Sequence, residues 1–169
     1  MNKYLFRAKR KDYDEWIEGG YCYCVNESYI TVATRYIPDT RDWDEADYYE
    51  ENPVYEPAFI KVYSETVGQF TGMCDKNNRK IFEGDIIKVG TSQRLMYVHW
   101  NGESLAWEVT DVGIPDCEVN HLINTFDLAE IQVEAAYGEM ISEVIGNIYD
   151  NPEYHTIKKD RVDYERDFI

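Results

Sequence analysis

Two short stretches constrain the fold more than anything else in the chain. They are Val67-Gly-Gln-Phe-Thr-Gly-Met-Cys-Asp-Lys-Asn-Asn-Arg-Lys-Ile-Phe-Glu-Gly-Asp-Ile-Ile-Lys88 and Glu143-Val-Ile-Gly-Asn-Ile-Tyr-Asp-Asn-Pro-Glu153. Each sets strand-forming apolar residues between closely placed Gly, Asn, Asp and Pro. Gly and Asn reach the left-handed backbone that tight turns need, and Asp and Asn side chains bond turn backbone. In the first stretch Gly72, Asp75, Asn77 and Asn78 mark a turn, and Gly84 marks a sharp corner. In the second, Gly146, Asn147 and Pro152 do the same. Short strands between tight turns predict a mainly β protein, with little helix.

The rest of the chain repeats the pattern. Lys3–Lys9 alternates as a strand, Asp12–Asp14 reads as a turn, and Gly19-Gly20 reads as a second one. Tyr21–Val25 and Tyr29–Ile37 flank Asn26, Glu27 and Ser28 as a hairpin. Asn101-Gly102 between Arg94–Trp100 and Glu103–Val109 predicts a two-residue type I′ hairpin. That register pairs Met96 with Trp107 and Val98 with Leu105 on the core side. Residues 120–142 fit either a helix capped by Asn124 or Thr125, or a strand at Ile131–Val133. The tail, 155–169, is charged and reads as a short helix or a frayed end.

Charge excludes some functions. The formal net charge is −16, and residues 95–157 carry 12 acidic side chains with no lysine or arginine. Such a surface repels phosphate backbones, so direct nucleic-acid binding is disfavoured, while basic proteins are attracted. Solubility alone is the plainer explanation. Residues 38–58 hold eight acids and one arginine among three prolines, and read as an acidic surface loop. Its aromatics Trp43, Tyr48 and Tyr49 are the candidates for protein docking. No apolar run is long enough for a membrane span, and the N-terminus has no apolar signal core, so a cytoplasmic protein is expected. Cys22, Cys24, Cys74 and Cys117 form no C-x-x-C pair and read as buried free thiols.

The linked motifs resemble the YopX family of bacterial phage and prophage proteins. Lys3-Tyr-Leu-Phe-Arg-Ala8 with Trp16 is similar to that family's opening strand. Thr71-Gly72, Asp75-Lys-Asn-Asn78 and Ile81-Phe-Glu-Gly-Asp-Ile86 match its Thr-Gly, Asp-Lys-Asn-Gly, Ile-Tyr-Glu-Gly-Asp-Ile block. Val144–Glu153 matches its last block, with Asp at 150. Asn78 stands where Gly is usual and Phe82 where Tyr is usual. Asn also reaches positive φ, so the turn should survive. The resemblance spans residues 1–154, which divide into possible lobes 1–64 and 65–154. It implies small-barrel-like lobes of strongly twisted antiparallel sheet, a phage or prophage origin, and a homo-oligomer. It implies no particular reaction.

Little chemistry is written in the remaining residues. Glu83 and Asp85 flank Gly84, and two carboxylates on one strand face would suit a divalent metal. The simpler reading is a corner in which Asp85 bonds backbone N–H groups. His99, His121 and His155 lack ligand spacing, and there is no G-x-S-x-G elbow or P-loop. No cofactor or catalytic residue is assigned. The expectation is a non-enzymatic protein-binding module that self-associates, in a sharper form an acidic decoy for a basic host protein that normally grips nucleic acid. One alternative is a metal-dependent hydrolase using clustered carboxylates. Another is nucleic-acid binding with Tyr97 or Trp100 as a stacking platform.

Overall fold

The computed structural model describes residues 4–36, 54–90, 94–112, 125–129 and 142–154. They fall into two compact units, divided between Val67 and Gly68. Strands dominate both units, and all pairings described below are antiparallel.

The first unit holds β1 (Phe6–Lys9), β2 (Trp16–Cys24), β3 (Glu27–Tyr36) and β4 (Val54–Val62), side by side in the order β4-β3-β2-β1. Alternation puts Ala8, Ile30 and Val62 on one face, where all three are fully buried. Phe6, Ile17, Val32 and Val67 pack against them. Gly19 and Gly20 are not a turn. They lie inside β2, where a Cβ on Gly19 would meet the Thr31 carbonyl oxygen at 2.2 Å. Glycine is needed there for close approach of β3, which sequence cannot distinguish from a turn glycine. The β2–β3 hairpin exists, but Cys24 pairs with Glu27, so its loop is only Val25-Asn26, both at positive φ. Residues 54–58 belong to β4, not to an acidic loop. Pro57 is tolerated because β4 is an edge strand, where a missing N–H breaks no inner ladder. Cys24 is exposed and Cys22 half-buried, so the expectation of buried thiols fails at Cys24.

The second unit is built on a five-stranded sheet in the order β10-β9-β8-β7-β11. Its strands are β7 (Asp85–Val89), β8 (Arg94–Asn101), β9 (Ala106–Asp111), β10 (Thr125–Asp127) and β11 (Glu143–Asn147). A second pair, β5 (Gly68–Cys74) with β6 (Lys80–Phe82), precedes it. One sheet face carries Ile87, Val89, Met96, Val98, Val109 and Val144 into a core completed by Ile81 and Leu128. The other face buries Ile86 with Val112 and Ile148. Among the described residues the sheet stays open, with β10 and β11 as its two edges, and does not close into a barrel. The barrel-like expectation is corrected in that respect.

Two local readings change here. The β8–β9 hairpin forms, but Asn101 pairs with Ala106, leaving Gly102–Leu105 as a four-residue loop. The register is displaced by four from the one expected, so Val98 faces Val109 and Trp100 faces Trp107. Leu105 is out of the core, 72% exposed and at positive φ. The cause is Asn101. Its Oδ1 accepts the N–H of Glu103 at 2.8 Å, and its Nδ2 donates to Glu108 at 2.9 Å. It acts as a side-chain cap instead of supplying a left-handed backbone. At the other ambiguous segment, Thr125–Asp127 is a strand on β9, and Asp127 accepts the Ala129 N–H at 2.7 Å; Asn124 and Ile131–Val133 lie outside the described residues.

Candidate functional site

Most of the turn residues that the sequence singled out fall into two knots, whose carboxylate and amide oxygens accept backbone N–H groups. Asp75 is buried at the end of β5. Its Oδ1 accepts the N–H groups of Asn77 and Arg79 at 2.8 and 2.9 Å. Its Oδ2 accepts the Val144 N–H of β11 at 3.0 Å. Arg79 completes the loop by donating to the Val144 carbonyl at 2.9 Å. Burial pushes the Asp75 carboxyl up, but the N–H groups of Val144, Arg79 and Asn77 and the Arg79 charge outweigh it and hold it below the usual value. Asn78 takes a φ of 61°, so the substituted turn does survive. Gly72, at φ 89°, sits where the β5–β6 register shifts.

A second knot joins the corner to the last motif. Gly84, at φ 83°, donates its N–H to the Val98 carbonyl and accepts the Ile148 N–H. Asp85 is fully buried, and its Oδ2 accepts the Phe82 N–H at 2.8 Å. Asn147 pairs with Asp85 across β11 and β7. Its Oδ1 accepts the N–H groups of Tyr149 and Asp150, each at 2.9 Å. Asn151 returns to Asn147 by accepting its N–H at 3.2 Å, and passes so close to Gly146 that a Cβ there would meet its Oδ1 at 2.2 Å. Pro152 opens a short 3₁₀ turn, Pro152–Tyr154. Phe82, lacking the tyrosine hydroxyl, is buried against Phe70 with ring centroids 5.5 Å apart.

Glu83 and Asp85 therefore do different things. Asp85 turns inward to the corner's backbone. Glu83 lines a solvent-open cleft of about 240 Å³ with Gln69, Trp100 and Trp107. The Gly84–Val98 hydrogen bond places the corner over β8 beside Trp100. The two indoles meet edge to face, 5.1 Å between centroids. Trp107 packs on the core, while Trp100 is 45% exposed. No hydrogen bond or ion pair holds the Glu83 carboxylate among the described residues. No group of three His, Cys, Asp or Glu side chains is placed to hold a metal among them either.

The other predicted positions divide as follows. Tyr97 is half-buried and stacked on His99 at 5.0 Å, so it is not an open platform for a base. His99 bonds Thr110 at 2.9 Å. Trp43, Tyr48, Tyr49, Cys117, His121, His155 and the 155–169 tail lie outside the described residues. Sequence reasoning missed the Trp100–Trp107 pair. Its available signal was that one register sets both Val opposite Val and Trp opposite Trp.

Among the described residues, short antiparallel strands and turn acids committed to the backbone define a β-sheet scaffold that carries an open aromatic cleft. Comparison with known families identifies it further. The chain belongs to the YopX family, whose profile, described as YopX protein, matches residues 5–154. No protein of curated function matches it. Among the described residues, no helix is long and apolar enough to cross a membrane.

Proposed function

We propose that this YopX-family chain is a phage or prophage accessory protein that works in the host cytoplasm by binding protein, without chemistry of its own. The observation that carries this reading is the cleft: an exposed indole, its partner indole and a carboxylate share one small concavity. Exposed tryptophans beside polar groups are typical anchors of protein interfaces. The acids of the two motifs favour it too, because Asp75 and Asp85 are occupied with backbone donors. A hydrolase built on Glu83 and Asp85 fits this arrangement less well.

Self-association is part of the proposal. Tyr55 and Phe59 of β4 are exposed, and register sets both on the sheet face opposite Ile30 and Val62, with Tyr29 edge-on to Phe59 at 6.4 Å. Exposed apolar surface of this kind favours contact with another chain. The acidic run of residues 95–157 supports a basic protein as the second partner, which is the decoy form of the reading. Light scattering coupled to size exclusion, in low and high salt, tests the assembly. A discrete oligomer that survives salt is expected. A monomer at all concentrations, with no salt-sensitive partner recovered from host lysate, overturns the reading.

A further inference from the structure

The cleft has the features of a site for one particular side-chain group. Two indoles line it, and an indole ring attracts a cation through its quadrupole. Glu83 lines it too, and no hydrogen bond or ion pair holds its carboxylate among the described residues. Gln69 completes the lining. At about 240 Å³ it is smaller than the ~300–1,000 Å³ of cofactor and small-molecule sites, and suits the head of a single side chain. Residues 95–157, which supply both tryptophans, carry 12 acids and no lysine or arginine.

We infer that this cleft binds the guanidinium of an arginine on a basic partner protein. The inference rests on the protein-binding reading. Arginine is favoured over lysine by shape. A planar guanidinium stacks on an indole face while its N–H fork meets a carboxylate, whereas an ammonium is a compact and more strongly hydrated charge. The Trp100 ring supplies the open face, Trp107 the wall that fixes it, and Glu83 the acceptor. Trp107 is held by the core and Glu83 by the corner whose Gly84 is bonded to β8, so the site is assembled before a ligand arrives.

The test uses the whole chain, labelled with nitrogen-15, and three probes: N-acetyl-arginine amide, the lysine analogue, and the neutral citrulline analogue. The indole N–H signals of Trp100 and Trp107 are followed by NMR, assigned with Trp100→Phe and Trp107→Phe. Arginine is expected to move both signals, lysine less, and citrulline not at all. Glu83→Gln should weaken the arginine effect about tenfold, within the range that loss of a charge-assisted contact supports. Trp100→Ala should remove the Trp107 shift while leaving the spectrum dispersed, since Trp100 is largely outside the core. Equal shifts with citrulline, or an arginine response unchanged in Glu83→Gln, overturn the site. If no arginine response appears but the chain still forms an oligomer, the arginine assignment falls and protein binding stands. If neither is seen, both fall.

Discussion

The carboxylate of Asp75 accepts the backbone N–H of Val144 at 3.0 Å, across a sequence separation of 69 residues. One side chain thus closes its own turn and holds the strand that carries the last motif. Asp75→Asn keeps the volume but turns an amide toward N–H donors. It should cost about 1–3 kcal/mol, the penalty of leaving a buried donor unsatisfied. Urea unfolding measures it. A loss below a few tenths would mean that the latch carries no stability.

The same carboxyl sets a pH dependence. Its folded value lies below the ordinary 3.8, so its contribution is complete above that value and disappears as pH falls through the lower, folded one. Wild type should therefore lose stability on acidification through that acid window more steeply than Asp75→Asn. The carboxyls of Glu27, held down by Lys11, and Glu143, held down by Lys76, move in the same direction but belong to half-buried surface pairs screened by solvent, and add little. Parallel acid-unfolding curves for wild type and variant would contradict this.

Gly19→Ala should be among the most damaging single changes in the first unit. The added methyl meets the Thr31 carbonyl at 2.2 Å and the Ile30 side chain at 2.8 Å, and the backbone cannot yield without separating β2 from β3. Overpacking of this kind costs about 1–3 kcal/mol or more. Amide exchange across β2 and β3 reports it, with faster exchange expected there than in β7 and β8.

Val25→Asn should stabilise. Val25 is 90% exposed and sits at a φ of 50°, where a β-branched residue is strained. Asparagine tolerates that conformation and suits the first position of a two-residue hairpin turn. A gain of about 1 kcal/mol is expected in urea or thermal unfolding. An unchanged midpoint would mean that the turn is relaxed.

Magnesium or manganese at millimolar concentration should leave the melting temperature unchanged, since Asp85 Oδ2 is bonded to Phe82 and Glu83 faces the cleft. A rise that Glu83→Gln and Asp85→Asn abolish would restore the metal-dependent alternative.

The strands and corners were legible in the sequence because residue type and backbone conformation coincide there. Asn78 and Gly84 stand at positive φ, where a reader of turns would put them. Gly19 was misread because close approach and turning both ask for glycine. Asn101-Gly102 was misread because asparagine can turn a chain by its backbone or by its side chain, and here it used the side chain. The cleft was the least legible feature. Gln69, Glu83, Trp100 and Trp107 come from β5, a corner, β8 and β9, and only the observed register and the Gly84–Val98 bond bring them together.

The edge position of β11 matters for a chain still being made. β7 ends at Val89 and its neighbour β11 begins at Glu143, so at ribosomal rates of about 5–20 residues per second β7 waits roughly three to eleven seconds for it. During that interval β7 has an open side and the Asp75 carboxylate lacks the Val144 donor that it will hold. Residues 4–67, by contrast, have already been synthesised in one continuous run. The nascent protein is thus exposed on one margin throughout that interval, and the Val-Ile-Gly-Asn segment is what ends that exposure.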